Sequence, residues 1–178
     1  MGKAAGFSLM EVLTSVSVLA ILGALAAPSF STAIQNSRRT NAVNGYLHAL
    51  FLARSEAIKR GTVVTVCKSP DGRQCANRAP SWSDGWIVFV NHSRDEPPVR
   101  DEDEPVLAVY EGWPEGQITS NRAAFSFRPN RQGVVNGTVV FCDSRGSAEA
   151  RAIIVSHTGR PRISRRDASN RPLRCPAG

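Results

Sequence analysis

Apolar residues are distributed along this chain in two regimes. From Phe7 to Phe30 they run almost without interruption, as FSLMEVLTSVSVLAILGALAAPSF, and residues 12–30 carry no charge. About 20 apolar residues at 1.5 Å rise each match a hydrocarbon layer of about 30 Å, so this run predicts a membrane-spanning helix. Beyond it, Val43, Leu47, Leu50, Phe51, Ala57 and Ile58 recur at three- and four-residue spacing. Arg38, Arg39, Arg54, Lys59 and Arg60 are expected to face mostly elsewhere, which makes the continuation amphipathic. Gly61 is placed to end the helix, and Lys59 and Arg60 suit its C-terminal dipole. Pro28 is expected to kink it or loosen a turn. Residues 7–60 thus read as one helix of about 80 Å. Its first part, 7–30, anchors; its second, 31–60, packs on a globular domain.

After Gly61 the period changes from helical to strand-like. Short β-branched or aromatic runs at 62–67, 86–91, 106–110, 123–128, 137–142 and 151–156 are separated by Gly, Pro, Asn and Asp. No helix-length pattern lies between them, which argues for antiparallel pairing. The fold class is therefore α+β, with a long N-terminal helix packed on antiparallel β-sheet over a globular region at 61–178. Pro97-Pro98 and the surrounding acids make 92–105 a solvated, mobile loop.

Charge changes this picture at the C-terminal end. Residues 151–178 hold seven Arg (151, 160, 162, 165, 166, 171 and 174) against Asp167 alone, so they carry +6 of the chain's formal +7. Acids gather elsewhere, at Asp95, Glu96, Asp101, Glu102, Asp103 and Glu104. Such segregation suits a polyanionic or acidic partner at the basic end, although a solvated basic tail would have the same composition. Within that end, Gly159 supplies a turn and Pro161 holds the following chain extended. Arg160 and Arg162 then point the same way, about 6.5 Å apart at 3.3 Å per residue. That spacing suits successive phosphates, which guanidinium forks grip bidentately. Nothing here resembles a base-reading helix, so contact with the backbone is expected, independent of sequence and sensitive to salt.

The four Cys, at 67, 75, 142 and 175, include no C-x-x-C and have no His at zinc-like spacing, so no metal is expected. An even set outside the cytoplasm reads as disulfides, and three pairings are possible. Cys67–Cys75, a hairpin staple, with Cys142–Cys175, a tether for the arginine-rich tail, is the favoured one. His48, His92 and His157 form no nucleophile–base arrangement with any neighbour, so no catalysis and no cofactor are expected.

Glu11 is the anomaly in the apolar run. A carboxylate at that depth costs several kcal/mol unless it has a partner, and it fits neither a secretory signal peptide nor a plain anchor. Gly6-Phe7-Ser8-Leu9-Met10-Glu11, after a short basic leader, resembles the type IV prepilin signature. The resemblance implies that prepilin peptidase removes the leader 1–6 after Gly6 and that Phe7 is N-methylated. The helix would then leave the inner membrane for an extracellular filament of pilin subunits. It also gives Glu11 a partner, the positive N-terminus of Phe7 on a neighbouring subunit, as a buried carboxylate requires.

Farther on, Trp82-Ser83-Asp84-Gly85-Trp86-Ile87-Val88-Phe89 is similar to a stretch shared by FimT-like and GspH-type minor pilins. The likeness continues through Phe141-Cys142-Asp143-Ser144-Arg145-Gly146, then 152–156 and Gly159-Arg160. Trp82 and Trp86 are expected in the core. Gly159, Arg160 and Arg162 resemble the G-R-x-R motif with which FimT-like pilins bind DNA during natural transformation. Arg165, Arg166, Arg171 and Arg174 join that candidate site on charge alone. Two alternatives use the same scaffold: a GspH-type pseudopilin of type II secretion, and a structural minor pilin that primes assembly.

Overall fold

A computed structural model describes residues 6, 8–76, 81–129 and 136–176, with 25–28 by backbone alone. The chain divides between Ser37 and Arg38 into two compact units. Helix α1, Leu9–Arg60, supplies the first and continues into the second, and its helical backbone runs on through Pro28. In the first unit the apolar side chains are exposed, among them Leu13, Leu19, Ile21 and Phe30. Its hydroxyls turn inward on the helix: Thr14 donates to the Met10 carbonyl at 3.0 Å, Ser15 to that of Glu11 at 2.7 Å and Ser17 to that of Leu13 at 2.8 Å. These three hydroxyls are thereby satisfied within the helix, which an apolar surrounding demands.

Among the described residues, the second unit contains the six expected strands, each within two residues of its anticipated limits, and two more. They are β1 Val63–Lys68, β2 Gly85–Asn91, β3 Val106–Glu111, β4 Gln117–Ser120, β5 Ala124–Phe127, β6 Gly137–Cys142, β7 Arg151–Val155 and β8 Pro161–Ser164. They form two antiparallel four-stranded sheets, ordered β3-β2-β1-β5 and β4-β6-β7-β8. The two strands absent from the sequence reading, β4 and β8, are four residues each and lie at the edges of the second sheet.

The expected α1 stripe holds at Val43, Leu50 and Ala57 and, half-buried, at Leu47, and fails at Phe51 and Ile58. Val43, Tyr46, Leu50, Ala53 and Ala57 are buried, whereas Phe51 and Ile58 remain exposed. Steps of three, four, three and four follow the helical period, and Phe51 and Ile58 fall off that stripe. Tyr46, fully buried, is the hub. Its ring centroid lies 5.2 Å from that of Trp82, 5.1 Å from Trp86, 6.3 Å from Phe125 and 5.8 Å from Phe141. Trp86 and Phe125 come from β2 and β5 of the first sheet, and Phe141 from β6 of the second. One side chain therefore joins the helix to both sheets by edge-on aromatic contacts. Gly85 between the two tryptophans has φ +128°, and a Cβ there would meet the Ser69 and Tyr110 carbonyls at 2.9 and 3.0 Å. Only glycine fits.

Arg39 extends the same stripe and is 5% exposed, not solvent-facing as anticipated. Its position four residues before Val43 points it into the interface, and acids from the β6–β7 connection neutralise it. It donates to the Glu149 carbonyl at 2.6 Å, and lies 3.2 Å from the Glu149 carboxylate and 3.5 Å from that of Asp143. Arg145 closes the network on Asp143 at 2.6 Å. The loop after β2 is likewise pinned rather than mobile. Glu104, 1% exposed, accepts from the backbone N–H groups of His92, Ser93 and Asp101. A buried carboxylate with three such donors organises the loop around itself.

Tyr46 and Asp143 yield two measurable consequences. The Tyr46 hydroxyl is buried with no hydrogen-bond partner. Tyr46→Phe should therefore raise the unfolding free energy by about 1 kcal/mol, and Tyr46→Ala should lower it by about 3–5 kcal/mol, in urea denaturation followed by circular dichroism. The Asp143 carboxyl is held below the usual range by the Arg145 side chain, against the opposing effect of burial, with help from the Arg145 backbone N–H and from Arg39. A depressed folded-state pKa contributes stability above the unfolded value of about 3.9 and loses it as pH falls through the folded value. Asp143→Asn should thus be less stable than the parent by about 1–3 kcal/mol at pH 7, with the gap closing in acid. A gap independent of pH would refute this role.

Candidate functional site

The basic C-terminal end is folded onto the second sheet. Strand β7 ends at Val155, residues 156–160 turn, and β8 returns antiparallel, pairing Val155 with Pro161, Ile154 with Arg162 and Ile153 with Ile163. In the turn Gly159 donates to the Ser156 carbonyl at 2.8 Å, and the Ser156 N–H donates to the Arg160 carbonyl at 3.1 Å. The Arg160 N–H reaches the Ser156 hydroxyl at 3.2 Å, and that hydroxyl lies 2.8 Å from the Thr158 hydroxyl. Gly159 is buried at φ +73°, the left-handed conformation a glycine adopts without strain. Pro161, which has no N–H to give, begins an edge strand, where its missing donor costs least.

The register fixes where these side chains point. Paired residues share a face, so Arg162 lies with Ile154 on the face away from the Phe141–Ile153–Val155 core. Arg160 is two residues earlier along an extended chain and leaves on the same side. Both are exposed, and among the described residues neither has a carboxylate within 4 Å.

The remaining arginines divide into distinct groups. Arg166 donates to the Asn170 carbonyl at 3.0 Å, and Arg171 forms an ion pair with Asp167 at 2.9 Å. Asp167 also accepts from the Ser169 and Arg171 N–H groups, each at 2.8 Å. These donors, the Arg171 backbone first, hold its carboxyl below the usual range. Arg166 and Arg171 therefore secure a turn at 167–171, a task that charge counting did not reveal. Arg171 and Arg174 line a groove of about 530 Å3 beside Val140. Val140 shares the Arg162 face through the pairing of Val140 with Ala152 and of Ala152 with Ser164. Arg165 lies apart, near Arg151, whose guanidinium is pushed down in pKa by burial first and then by Arg39 and Arg165.

Two covalent ties hold the arrangement. Cys67–Cys75 spans eight residues beside β1, and Cys142–Cys175 joins the end of β6 to the tail across 33 residues. Leu173 is buried against Cys142, Ala150 and Ala152, so the tail also packs on the outer face of the sheet. Trp82 and Trp86 are 4% and 2% exposed, which places both in the core as anticipated. At the other end, Gly6 is exposed, Glu11 is exposed in the first turn of α1, and Phe7 lies outside the described residues.

The sequence reading passed over Arg54, expected to face outward. It is half-buried and donates to the Gly159 carbonyl at 3.0 Å. It also passed over β8, although a Gly turn followed by Pro-Arg-Ile-Ser alternation is a hairpin signal.

Comparison with known proteins fits this architecture. The fold is similar to two crystal forms of the Pseudomonas aeruginosa type IV minor pilin FimU. One gives a TM-score of 0.57 at 15% identity over 79% of this chain and 97% of that chain. The other gives 0.54 at 16% identity over 76% and 98%. Identity at this level speaks for the fold alone, which is that of a type IV pilin: a long N-terminal helix on antiparallel sheet. No curated protein sequence matches the chain. Residues 42–159 match the family described as Type II transport protein GspH, a match that ends one residue before Arg160. This chain therefore belongs to the GspH family and carries the fold of minor type IV pilins.

Proposed function

We propose that this chain is a minor pilin that binds extracellular DNA by its phosphate backbone through Arg160 and Arg162 during natural transformation. The observation that carries the reading is the hairpin itself: two exposed guanidiniums on one rigid edge, with no carboxylate within 4 Å among the described residues. Arginine forks held at strand spacing can take successive phosphate oxygens bidentately. All three tryptophans are at most 5% exposed, so a stacking platform is not the basis of the site. Arg174 and Arg165 add long-range attraction. Arg166 and Arg171, occupied within the 167–171 turn, support the fold of the tail instead.

The same reading assigns the N-terminal segment. Prepilin peptidase cleaves after Gly6, Phe7 is N-methylated, and Glu11 pairs with the N-terminus of a neighbouring pilin subunit during assembly. The apolar half of α1 holds the subunit in the inner membrane, with the globular domain outside the cytoplasm, until the filament takes it up. The role is structural and adhesive, not enzymatic.

A second reading, a pseudopilin of type II secretion, draws support from the family description. Affinity for DNA separates the two. The detergent-solubilised full chain should retard a short mixed-sequence duplex in dilute buffer, and affinity should fall steeply between about 50 and 200 mM salt. Arg160→Gln with Arg162→Gln should weaken binding at least about tenfold on every sequence. Log affinity against log salt should flatten by about 1.8, or about 0.9 per lost phosphate contact. Unchanged binding by that double variant would remove these residues from the site.

The tether has its own signature. Replacing Cys142 and Cys175 by Ser should cost about 3–4 kcal/mol on the chain-entropy account of a 33-residue loop. Amide exchange should rise in residues 166–176 while the β7–β8 ladder stays protected. DNA affinity should drop less than in the double arginine variant, and an equal or greater drop would place the grip in the tail rather than the hairpin.

A further inference from the structure

Arg54 belongs to α1, outside every stretch that composition or motif assigned to the basic site. One Nη donates to the Gly159 carbonyl at 3.0 Å, and this carbonyl immediately precedes Arg160. The guanidinium of the helix therefore sits at the base of the turn that presents Arg160 and Arg162. It is half-buried, and among the described residues no carboxylate lies within 4 Å of it. Arginine has five N–H donors in a planar fork, and a single carbonyl leaves most of them for another acceptor. A partly desolvated cation without a counterion is an unfavourable arrangement in an isolated fold, and an arriving anion relieves it.

From this geometry we propose that Arg54 is a third residue of the polyanion site, reaching a phosphate oxygen from the helix side of the β8 edge while Arg160 and Arg162 reach theirs from the outer face. The bond to Gly159 orients the fork before any ligand arrives, so less side-chain freedom is lost on binding. The helix thereby contributes directly to a surface that the sequence assigns to the tail alone. The inference rests on the DNA-binding reading above and adds one residue and one phosphate contact to it.

The test uses the detergent-solubilised full chain and the same short duplex over a salt series. Arg54→Gln should lower affinity several-fold and flatten the salt dependence by about 0.9, the loss of one phosphate contact. A residue that merely steadied the turn would lower affinity and leave the slope unchanged, and that result overturns the proposal. If circular dichroism shows Arg54→Gln to be unfolded, Arg54→Lys decides. An ammonium keeps the charge but cannot satisfy carbonyl and phosphate through one planar fork. The slope should hold while affinity falls, and affinity equal to the parent's overturns the proposal. Failure of the parent chain to bind DNA would instead refute the functional reading itself. Binding that is lost in the Arg160/Arg162 variant but kept in full by Arg54→Gln would remove Arg54 alone.

Discussion

The globular unit is joined at the Tyr46 ring. It is the point at which α1, the 3-10 turn at Trp82 and both sheets touch, through contacts of 5.1–6.3 Å to Trp82, Trp86, Phe125 and Phe141. Two four-stranded sheets share no strand here, so their mutual placement depends on what each packs against. A helix with one large aromatic at the junction fixes both at once, and the small Ala49, Ala53 and Ala57 let the backbone approach. The Tyr46 hydroxyl has no partner, so it is the ring that the fold uses.

That hub explains what could be read in advance and what could not. Six strands were visible because their β-branched and aromatic runs are long enough to stand out between Gly, Pro and Asn. β4 and β8 are four-residue edge strands, and three of the four residues in each are polar or exposed. The helical stripe was misread at Phe51 and Ile58 because apolar type was taken to mean burial. The true stripe passes through Arg39, whose burial depends on Asp143 and Glu149, residues more than a hundred positions away. No local pattern contains that information. The 92–105 loop was misread for a related reason, since its six acids look alike in sequence but Glu104 alone is turned inward to hold the backbone.

The basic end divides along the same line between local and distant causes. Counting arginines treats seven as equivalent, whereas the fold gives them different tasks. Arg166 and Arg171 are engaged with Asn170 and Asp167, and Arg151 with the Glu149 and Ala150 carbonyls. The turn at Gly159 and the extended course of Arg160–Arg162 were legible from spacing because turn and strand geometry are local properties. Arg54 was not, because it meets Gly159 only after the helix and the second sheet have docked. Net charge marked the region; packing decided which of its arginines are engaged and which stay exposed.

An edge strand with Pro161 at its start and Arg162 within it has a second physical explanation. Proline and cations on exposed edges prevent sheets from pairing edge to edge, and β8 is such an edge. That explanation accounts for one proline and one cation on the strand. It does not account for an arginine on the helix spending one donor on the adjoining turn. Edge protection would also be served by lysine, whose compact charge is as repulsive, yet residues 151–178 contain seven Arg and no Lys. A planar donor fork adds nothing to repulsion and much to the recognition of a tetrahedral oxyanion. Edge protection alone therefore leaves the choice of arginine and the Arg54–Gly159 bond unexplained.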